Sequence, residues 1–276
     1  MQRLPTQKTR KFRVLVWNFY HQEGRHTLPW RKTKNPYRIL VSEIMLQQTQ
    51  VARVVEKYPL FLKTFPTITA LAEAPLAQVL AAWQGMGYNR RTLALHRLAK
   101  EIVAHHGGSV PRTRADLETL PGIGPYTAGA IRAFAFNEPE VFIETNIRRI
   151  FIHHFFLKKQ VVSDKEILPL VEATLDTQNP RAWYYALMDY GAHLPKVTKN
   201  PNKKSAHYVK QKKFEGSHRQ LRGRVLKFFN TKGKCTLASC ARTLEIDREK
   251  LLTILRDLEH EGFIEHHDKN YFIKNA

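Results

Sequence analysis

The chain has 276 residues, 43% hydrophobic and 11% aromatic, which excludes a disordered chain and allows a sizeable core in one large or two to three modest domains. Lys and Arg outnumber Asp and Glu 45 to 24, and a formal net charge of +21 points to a polyanionic partner, nucleic acid first and anionic membrane second. No apolar run of about 18 residues occurs, so no membrane-spanning helix is expected, and Cys235 with Cys240 can make at most one local pair, which excludes a disulfide framework.

The opening stretch MQRLPTQKTRKFRVLVWNFY is basic but lacks a long apolar core and a small-residue cleavage site, so it is expected to be mature protein, not a signal peptide. Phe12, Leu15, Val16, Phe19 and Tyr20 recur at helical spacing, predicting a helix over residues 11 to 24 that stops at Gly24. Leu28-Pro29-Trp30-Arg31 leaves it as a turn. Pro36 then precedes a helix predicted from Tyr37 to Val51, apolar at Ile39, Leu40, Ile44, Met45 and Val51. Glu43 lies in its middle with Leu40, Ile44 and Leu46 around it, so it is either solvent-facing or placed there for chemistry. Residues 52 to 106 read as three more helices, broken at Pro59, Pro66, Pro75 and the Gly85–Gly87 turn.

Pro111 and Asp116 open the next segment, which reaches Leu120-Pro121-Gly122-Ile123-Gly124. Two glycines around an isoleucine permit positive φ and close backbone approach. A small apolar helix is predicted from Thr127 to Phe136. Its first amides lack internal partners and suit a phosphate oxygen, although an ordinary packing turn fits the same residues. Ile147 to Phe156 continues as an apolar helix bearing Arg148 and Arg149, and residues 164 to 192 give one or two more, rich in Leu, Tyr and Trp. No period-two alternation appears in this body and no internal repeat, so it is expected to be all-α.

Residues 195 to 213 change character. Lys196, Lys199, Lys203, Lys204, Lys210, Lys212 and Lys213 are met by no acid, and Pro195 and Pro201 are expected to interrupt any helix. This reads as a basic linker, either a solvated tether or a segment that steers a polyanion. Beyond it, Leu221 to Phe229 and Leu237 to Leu244 read as helices. Asp247 is the expected N-cap of a third, which runs through Leu258 to Gly262. Phe263 to His267 and Tyr271 to Ile273, joined by Asp268-Lys269-Asn270, read as a β-hairpin. Three helices and a hairpin resemble a winged helix, whose second and third helices can enter a major groove, though many such domains bind protein instead. Cys235 and Cys240 read as small core residues of this domain; two thiols without further ligands make a weak metal site.

Several of these stretches carry a family resemblance. Leu120 to Asn146 resembles the helix–hairpin–helix plus Gly/Pro…Asp module of base-excision DNA glycosylases, and Ser42 to Val51, SEIMLQQTQV, looks like the signature of the MutY-type adenine DNA glycosylases. With Leu28-Pro29-Trp30-Arg31, Gly85-Met86-Gly87-Tyr88 and Ala186-Leu187-Met188-Asp189-Tyr190-Gly191-Ala192, the likeness is collinear from about residue 10 to about residue 193. It implies a mainly α, two-lobed helical glycosylase fold over residues 1–194, with lobes of roughly 31–133 and 1–30 plus 134–194. A basic linker over 195–216 and a small winged-helix-like domain over 217–276 follow it.

The resemblance also assigns roles. Releasing a purine from deoxyribose needs a proton on the leaving base and a negative charge beside the cationic sugar. Glu43 matches the general acid that protonates adenine N7, and burial among apolar neighbours would keep its proton near neutral pH. Glu144 stands where the family has its catalytic aspartate, in Ile143-Glu144-Thr145-Asn146, with Thr145 in place of glycine and Asn146 matching the family asparagine. The extra methylene displaces the carboxylate by roughly 1 Å, a misplacement that can cost about 10²-fold in rate unless the backbone compensates. Tyr126 occupies the position of the lysine nucleophile of bifunctional relatives and cannot form a Schiff base, so strand cleavage is expected to be weak or absent.

Gln48 and Tyr88 match positions that wedge into the base stack, as an extruded base requires, although both also suit plain packing or surface. Arg90 and Arg91 suit phosphates, and Gly122, Ile123, Gly124 and Thr127 belong to the DNA-binding hairpin. The family's four cluster cysteines are missing, which excludes an iron–sulfur cluster by ligand count, and no metal or other cofactor is expected. The family's C-terminal reader of 8-oxoguanine is not recognisable in residues 217 to 276. The expected activity is monofunctional removal of adenine opposite 8-oxoguanine or guanine in base excision repair. The alternatives are a thymine or uracil mismatch glycosylase and a catalytically impaired lesion-binding protein. The expected partner is double-stranded DNA with a mispaired or damaged base, bound by a monomer without membrane contact, inside the cell with the nucleoid.

Overall fold

The computed structural model describes residues 6–210 and 213–274. Met1 to Pro5 of the opening stretch, Lys212 of the linker lysines, and Asn275 and Ala276 lie outside the described residues. Helices dominate the chain: α1 (Thr6–Glu23), α2 (Pro36–Leu46), α3 (Val51–Thr64), α4 (Ile68–Glu73), α5 (Leu76–Ala82), α6 (Arg90–His106) and α7 (Arg114–Thr119). They continue with α8 (Pro125–Ile131), α9 (Thr145–Phe155), α10 (Asp164–Thr174), α11 (Pro180–Val197) and α12 (His218–Lys232). The last part is β1 (Cys235–Thr236), α13 (Leu237–Leu244), α14 (Arg248–Glu261), β2 (Ile264–His267) and β3 (Asn270–Ile273). The three strands form one antiparallel sheet in the order β1-β3-β2. Among the described residues no helix is long and apolar enough to cross a membrane.

The chain divides into two compact units, Met1–Glu43 with Pro111–Lys210, and Ile44–Val110 with Gln211–Ala276. The first is built on α1, α9 and α11. Phe12 of α1 packs on Phe151 and Phe155 of α9 and on Trp183 of α11, with ring centroids 5.1 to 6.3 Å apart. The glycine turn connects α7 to α8 within this unit. Thr113 caps α7 by accepting from the Asp116 amide. Gly122 takes φ +81°, a left-handed conformation that an L side chain disfavours. Gly124 then caps α8, and Pro125 supplies its first residue, two positions ahead of the start predicted at Thr127. The predicted end at Phe136 is reached by a π-helical turn over Arg132–Phe136. There Arg181 takes the carbonyls of Phe134 and Ala135 at 2.6 and 3.0 Å.

Pro195 does not interrupt its helix, contrary to the sequence expectation; it lies inside α11. A proline removes the amide that would bond the carbonyl four residues back. That carbonyl, Gly191 O, instead accepts from Arg149 Nη1 at 2.6 Å. The segment after α11 is built into this unit as well. Pro201 opens a 3₁₀ turn over Pro201–Lys204, and Val162 and Ser205 form a parallel bridge. Asn202 is buried and donates to the Thr145 carbonyl at 2.9 Å.

In the second unit, Pro59 sits inside α3 without breaking it, since the buried face of Val54, Tyr58 and Phe61 continues through the proline. Burial of that face outweighs the lost backbone bond. The helix predicted over Tyr37 to Val51 ends at Leu46. Two of its last carbonyls and one just beyond it are taken by Arg91, whose Nη1 donates to Ile44 O, Met45 O and Gln47 O at 3.0, 2.9 and 2.5 Å. The C-terminal helices share one buried cluster with α5 and α6. Leu76, Leu80 and Leu93 lie against Val225, Leu226, Phe229, Ile254 and Leu258. Asp247 caps α14 as expected, accepting from Lys250 N at 3.0 Å, and Gly262 ends it at φ +85°.

Candidate active site

Three chemically significant side chains of the first unit converge. Glu43 projects from α2, Tyr126 from the second residue of α8, and Glu144 precedes α9. Glu43 is 6% exposed. Its Oε2 accepts from the Tyr126 hydroxyl at 3.4 Å. Burial raises its carboxyl to about 8, aided by the charge of Glu144 and opposed by the Tyr126 hydrogen bond and by Arg31. A carboxyl in that range keeps its proton at neutral pH and can still give it up. Burial also holds the Tyr126 hydroxyl well above the ordinary tyrosine value, so it remains a neutral donor. The Tyr126 ring meets Phe142 edge-on at 5.7 Å, and Phe142 stacks on Tyr184 at 3.9 Å.

Glu144 is the N-cap of α9. Its Oε1 accepts from the amides of Asn146 and Ile147 at 2.6 and 2.9 Å, and its Oε2 from Asn146 Nδ2 at 3.2 Å. Burial raises this carboxyl, but the two amides and the charges of Arg149 and Arg148 oppose it. The two carboxyls thus sit in unlike settings. Glu43 has one long hydrogen bond in an apolar pocket, whereas Glu144 faces two amides and the positive end of a helix. The glutamate side chain folds back onto its own helix terminus.

The loop carrying Glu144 is held from behind. Arg149 Nη1 donates to Asn146 Oδ1 at 2.8 Å as well as to Gly191 O. A Cβ on Gly191 would lie 2.3 Å from the Asn146 carbonyl oxygen, so only glycine fits where α11 passes this loop. Sequence reasoning noted the stretch Ala186 to Ala192 but missed the role of Asp189 inside it. Asp189 is 3% exposed. It accepts from Arg31 Nη1 and Nη2 at 2.7 and 2.8 Å, and from the Arg25 backbone amide and Nε at 2.8 and 2.6 Å. The Arg31 guanidinium lies 4.4 Å over the Tyr185 ring. Through Arg31 this ion cluster exerts a minor lowering influence on Glu43. The one available signal was a lone aspartate in the apolar run WYYALMDYGAHL.

Other predicted residues are placed as follows. Ile123 and Thr127 are buried behind the glycine turn, while Gly122 and Gly124 are exposed on it. In the second unit, Gln48 is exposed and Tyr88 half-buried, both with left-handed backbones at φ +55° and +50°. Arg90 forms a two-pronged ion pair with Glu261 at 2.9 and 2.6 Å. Arg91 is spent on the carbonyls at the end of α2, and its Nη2 bonds Thr49 Oγ1, Met86 O and Gly87 O at 2.9 to 3.2 Å. The Arg91 guanidinium is therefore engaged within the protein, whereas the Arg90 side chain stays exposed beside Glu261. The residues present do not fit the iron–sulfur cluster of the resemblance. Cys235 and Cys240 are the chain's two cysteines, and burial pushes the Cys240 thiol up to about 12, away from a thiolate.

This hairpin and its two carboxyls define a class. Residues 41–172 match the family profile of HhH-GPD superfamily base excision DNA repair proteins. A thermostable thymine-DNA glycosylase has the same fold, with 26% identity and a TM-score of 0.62 over 72% of this chain and 92% of that one. Within the superfamily the likeness is to the MutY-type enzymes. The adenine DNA glycosylase of Buchnera aphidicola (subsp. Baizongia pistaciae) is 39% identical over 185 residues, 66% of this chain and 52% of that protein. That of Mycobacterium tuberculosis is 43% identical over 138 residues, 50% of this chain and 44% of that protein. The chain thus spans about half the length of these relatives.

Proposed function

We propose that this protein is a monofunctional DNA glycosylase that removes adenine from a mispair with 8-oxoguanine or guanine in base excision repair. The observation that carries the reading is the pairing of Glu43, raised to about 8 by burial, with Glu144, held on the amides of Asn146 and Ile147. Protonated Glu43 gives its proton to N7 of the extruded adenine. The bond from C1′ to N9 then breaks, its electron pair leaves with a neutral base, and the Glu144 carboxylate stabilises the cationic sugar. Water adds to C1′ and its proton returns to Glu43. Tyr126 orients Glu43 and offers no amine, so the strand stays uncut after base release.

In this reading residues 1–194 are the glycosylase domain, with Gly122 and Gly124 facing the DNA backbone, Ile123 and Thr127 supporting the hairpin from behind, and Gln48 and Tyr88 probing the stack. Residues 195–216 add a basic segment for the polyanion, and 217–276 form a winged-helix-like module. The substrate is duplex DNA inside the cell, bound by a monomer. The thymine or uracil alternative leaves Glu43 without a purine nitrogen to protonate. The test is single-turnover base release from duplexes carrying adenine opposite 8-oxoguanine. Wild type releases adenine, Glu43→Gln abolishes release, and Glu144→Gln slows it by about 10²-fold or more, the scale of one electrostatic stabiliser. Release of thymine or uracil but not adenine by wild type refutes the assignment. Release of no base from any mispair favours a binding protein.

A further inference from the structure

The C-terminal segment reaches the turn that carries Tyr88. Helix α12 presents Arg219 and Arg222 three residues apart, hence on one face. Arg222 Nη2 bonds Glu261 Oε2 at 2.7 Å, and the same carboxylate holds Arg90, the first residue of α6. Arg97 of α6 bonds the Glu261 carbonyl at 2.9 Å. These contacts, with the shared apolar cluster, fix α12 beside the start of α6. Arg219 then extends one turn further along α12. Its Nη1 donates to the Tyr88 hydroxyl at 2.9 Å, and its guanidinium carbon lies 5.1 Å from the Tyr88 ring centre. Arg91 lies 5.4 Å from that ring and Phe214 lies 5.3 Å from Arg219.

We propose that Arg219 is a specificity-determining residue of the glycosylase, holding the Tyr88 ring and hydroxyl in the orientation that probes the duplex. The proposal rests on the reading of Tyr88 as a duplex contact. Tyr88 has a left-handed backbone, which costs a residue with a Cβ and persists only where the surroundings restrain it. Arg91 restrains the backbone of the turn through Met86 O and Gly87 O. The side chain takes its hydroxyl restraint from Arg219, so the C-terminal segment becomes part of lesion recognition in cis. A probe ordered before binding loses less entropy on contact, and that advantage counts only where the duplex has a weak point to accept it. Arg219 and Tyr88 are both half-exposed, so the packing of the unit does not depend on their contact.

The experiment compares full-length wild type, Arg219→Met, Arg219→Lys, Tyr88→Ala and the Arg219→Met/Tyr88→Ala double variant. Affinities are measured for a duplex holding 2′-fluoro-2′-deoxyadenosine, which resists base release, opposite 8-oxoguanine, and for the same duplex fully matched. Arg219→Met is expected to lower the preference for the mispair about tenfold, the scale of one charge-assisted hydrogen bond with a cation–π contact. Arg219→Lys restores part of it, and the double variant is no worse than Tyr88→Ala alone. Tyr88→Phe removes only the hydroxyl acceptor and carries the same test should Arg219→Met melt early; it loses about threefold. Equal weakening on both duplexes makes Arg219 a phosphate contact and overturns the proposal. So does an unchanged preference, or additive loss in the double variant. Wild type without any mispair preference overturns the glycosylase reading itself, and that result is read before any variant is compared.

Discussion

The position of Glu43 predicts a pH profile with a definite sign. A carboxyl at its ordinary value of 4.5 would be protonated in about one molecule in 300 at pH 7; raised to about 8, it is protonated in about nine of ten. The single-turnover rate of adenine release should therefore be nearly flat from pH 6 to 7 and fall about tenfold between pH 7 and 9 as the acid is lost. Linkage adds an independent readout. The folded state holds a proton that the unfolded chain gives up above its ordinary carboxyl value. Stability contributed by this group is therefore present below that value and lost as pH rises to about 8. Glu43→Gln keeps the shape and stays neutral at every pH. It should melt above wild type at pH 9, with the difference shrinking toward pH 5. The assays are rapid-quench base release and thermal unfolding across the same buffers. A rate that rises from pH 7 to 9, or a Glu43→Gln variant whose melting difference ignores pH, refutes the argument that burial holds the catalytic proton.

Two further predictions concern the surroundings of the carboxyls. Asp189→Asn removes the counter-charge of Arg25 and Arg31 and leaves Arg31 more positive toward Glu43, so the falling limb of the rate profile should move to lower pH. Breaking a buried pair should also destabilise the fold by about 3 kcal/mol, measured by urea unfolding. Gly191→Ala forces a Cβ against the Asn146 carbonyl at 2.3 Å, an overlap that must displace backbone. It should cost about 1–3 kcal/mol and slow base release through the Glu144 loop, seen as a lower melting temperature with a reduced single-turnover rate.

The sequence by itself determined the helical body, the glycine turn at Gly122 and the cap at Asp247. Each depends on local chemistry: apolar spacing, a residue free to take positive φ, and a side chain short enough to bond its own helix terminus. The family resemblance of SEIMLQQTQV and of the stretch around Glu144 drew attention to two carboxyls, which the fold brings near Tyr126 and the start of α9. Tertiary structure alone decided how those residues work. Glu43 was equally readable as a solvated surface acid; only folding buries it against Tyr126 and so holds its proton. Pro195 reads as a helix breaker until Arg149, 46 positions earlier in the chain, takes the carbonyl that the proline cannot satisfy. Arg91 reads as a phosphate contact because an unpaired cation beside a turn looks solvent-facing; its partners, the carbonyls ending α2, are distant in sequence. Asp189 was one acid in an apolar run, and its meaning came from two arginines more than 150 residues away. Local propensity and residue chemistry are written along the chain, whereas burial, charge pairing and the satisfaction of carbonyls depend on which distant segments meet.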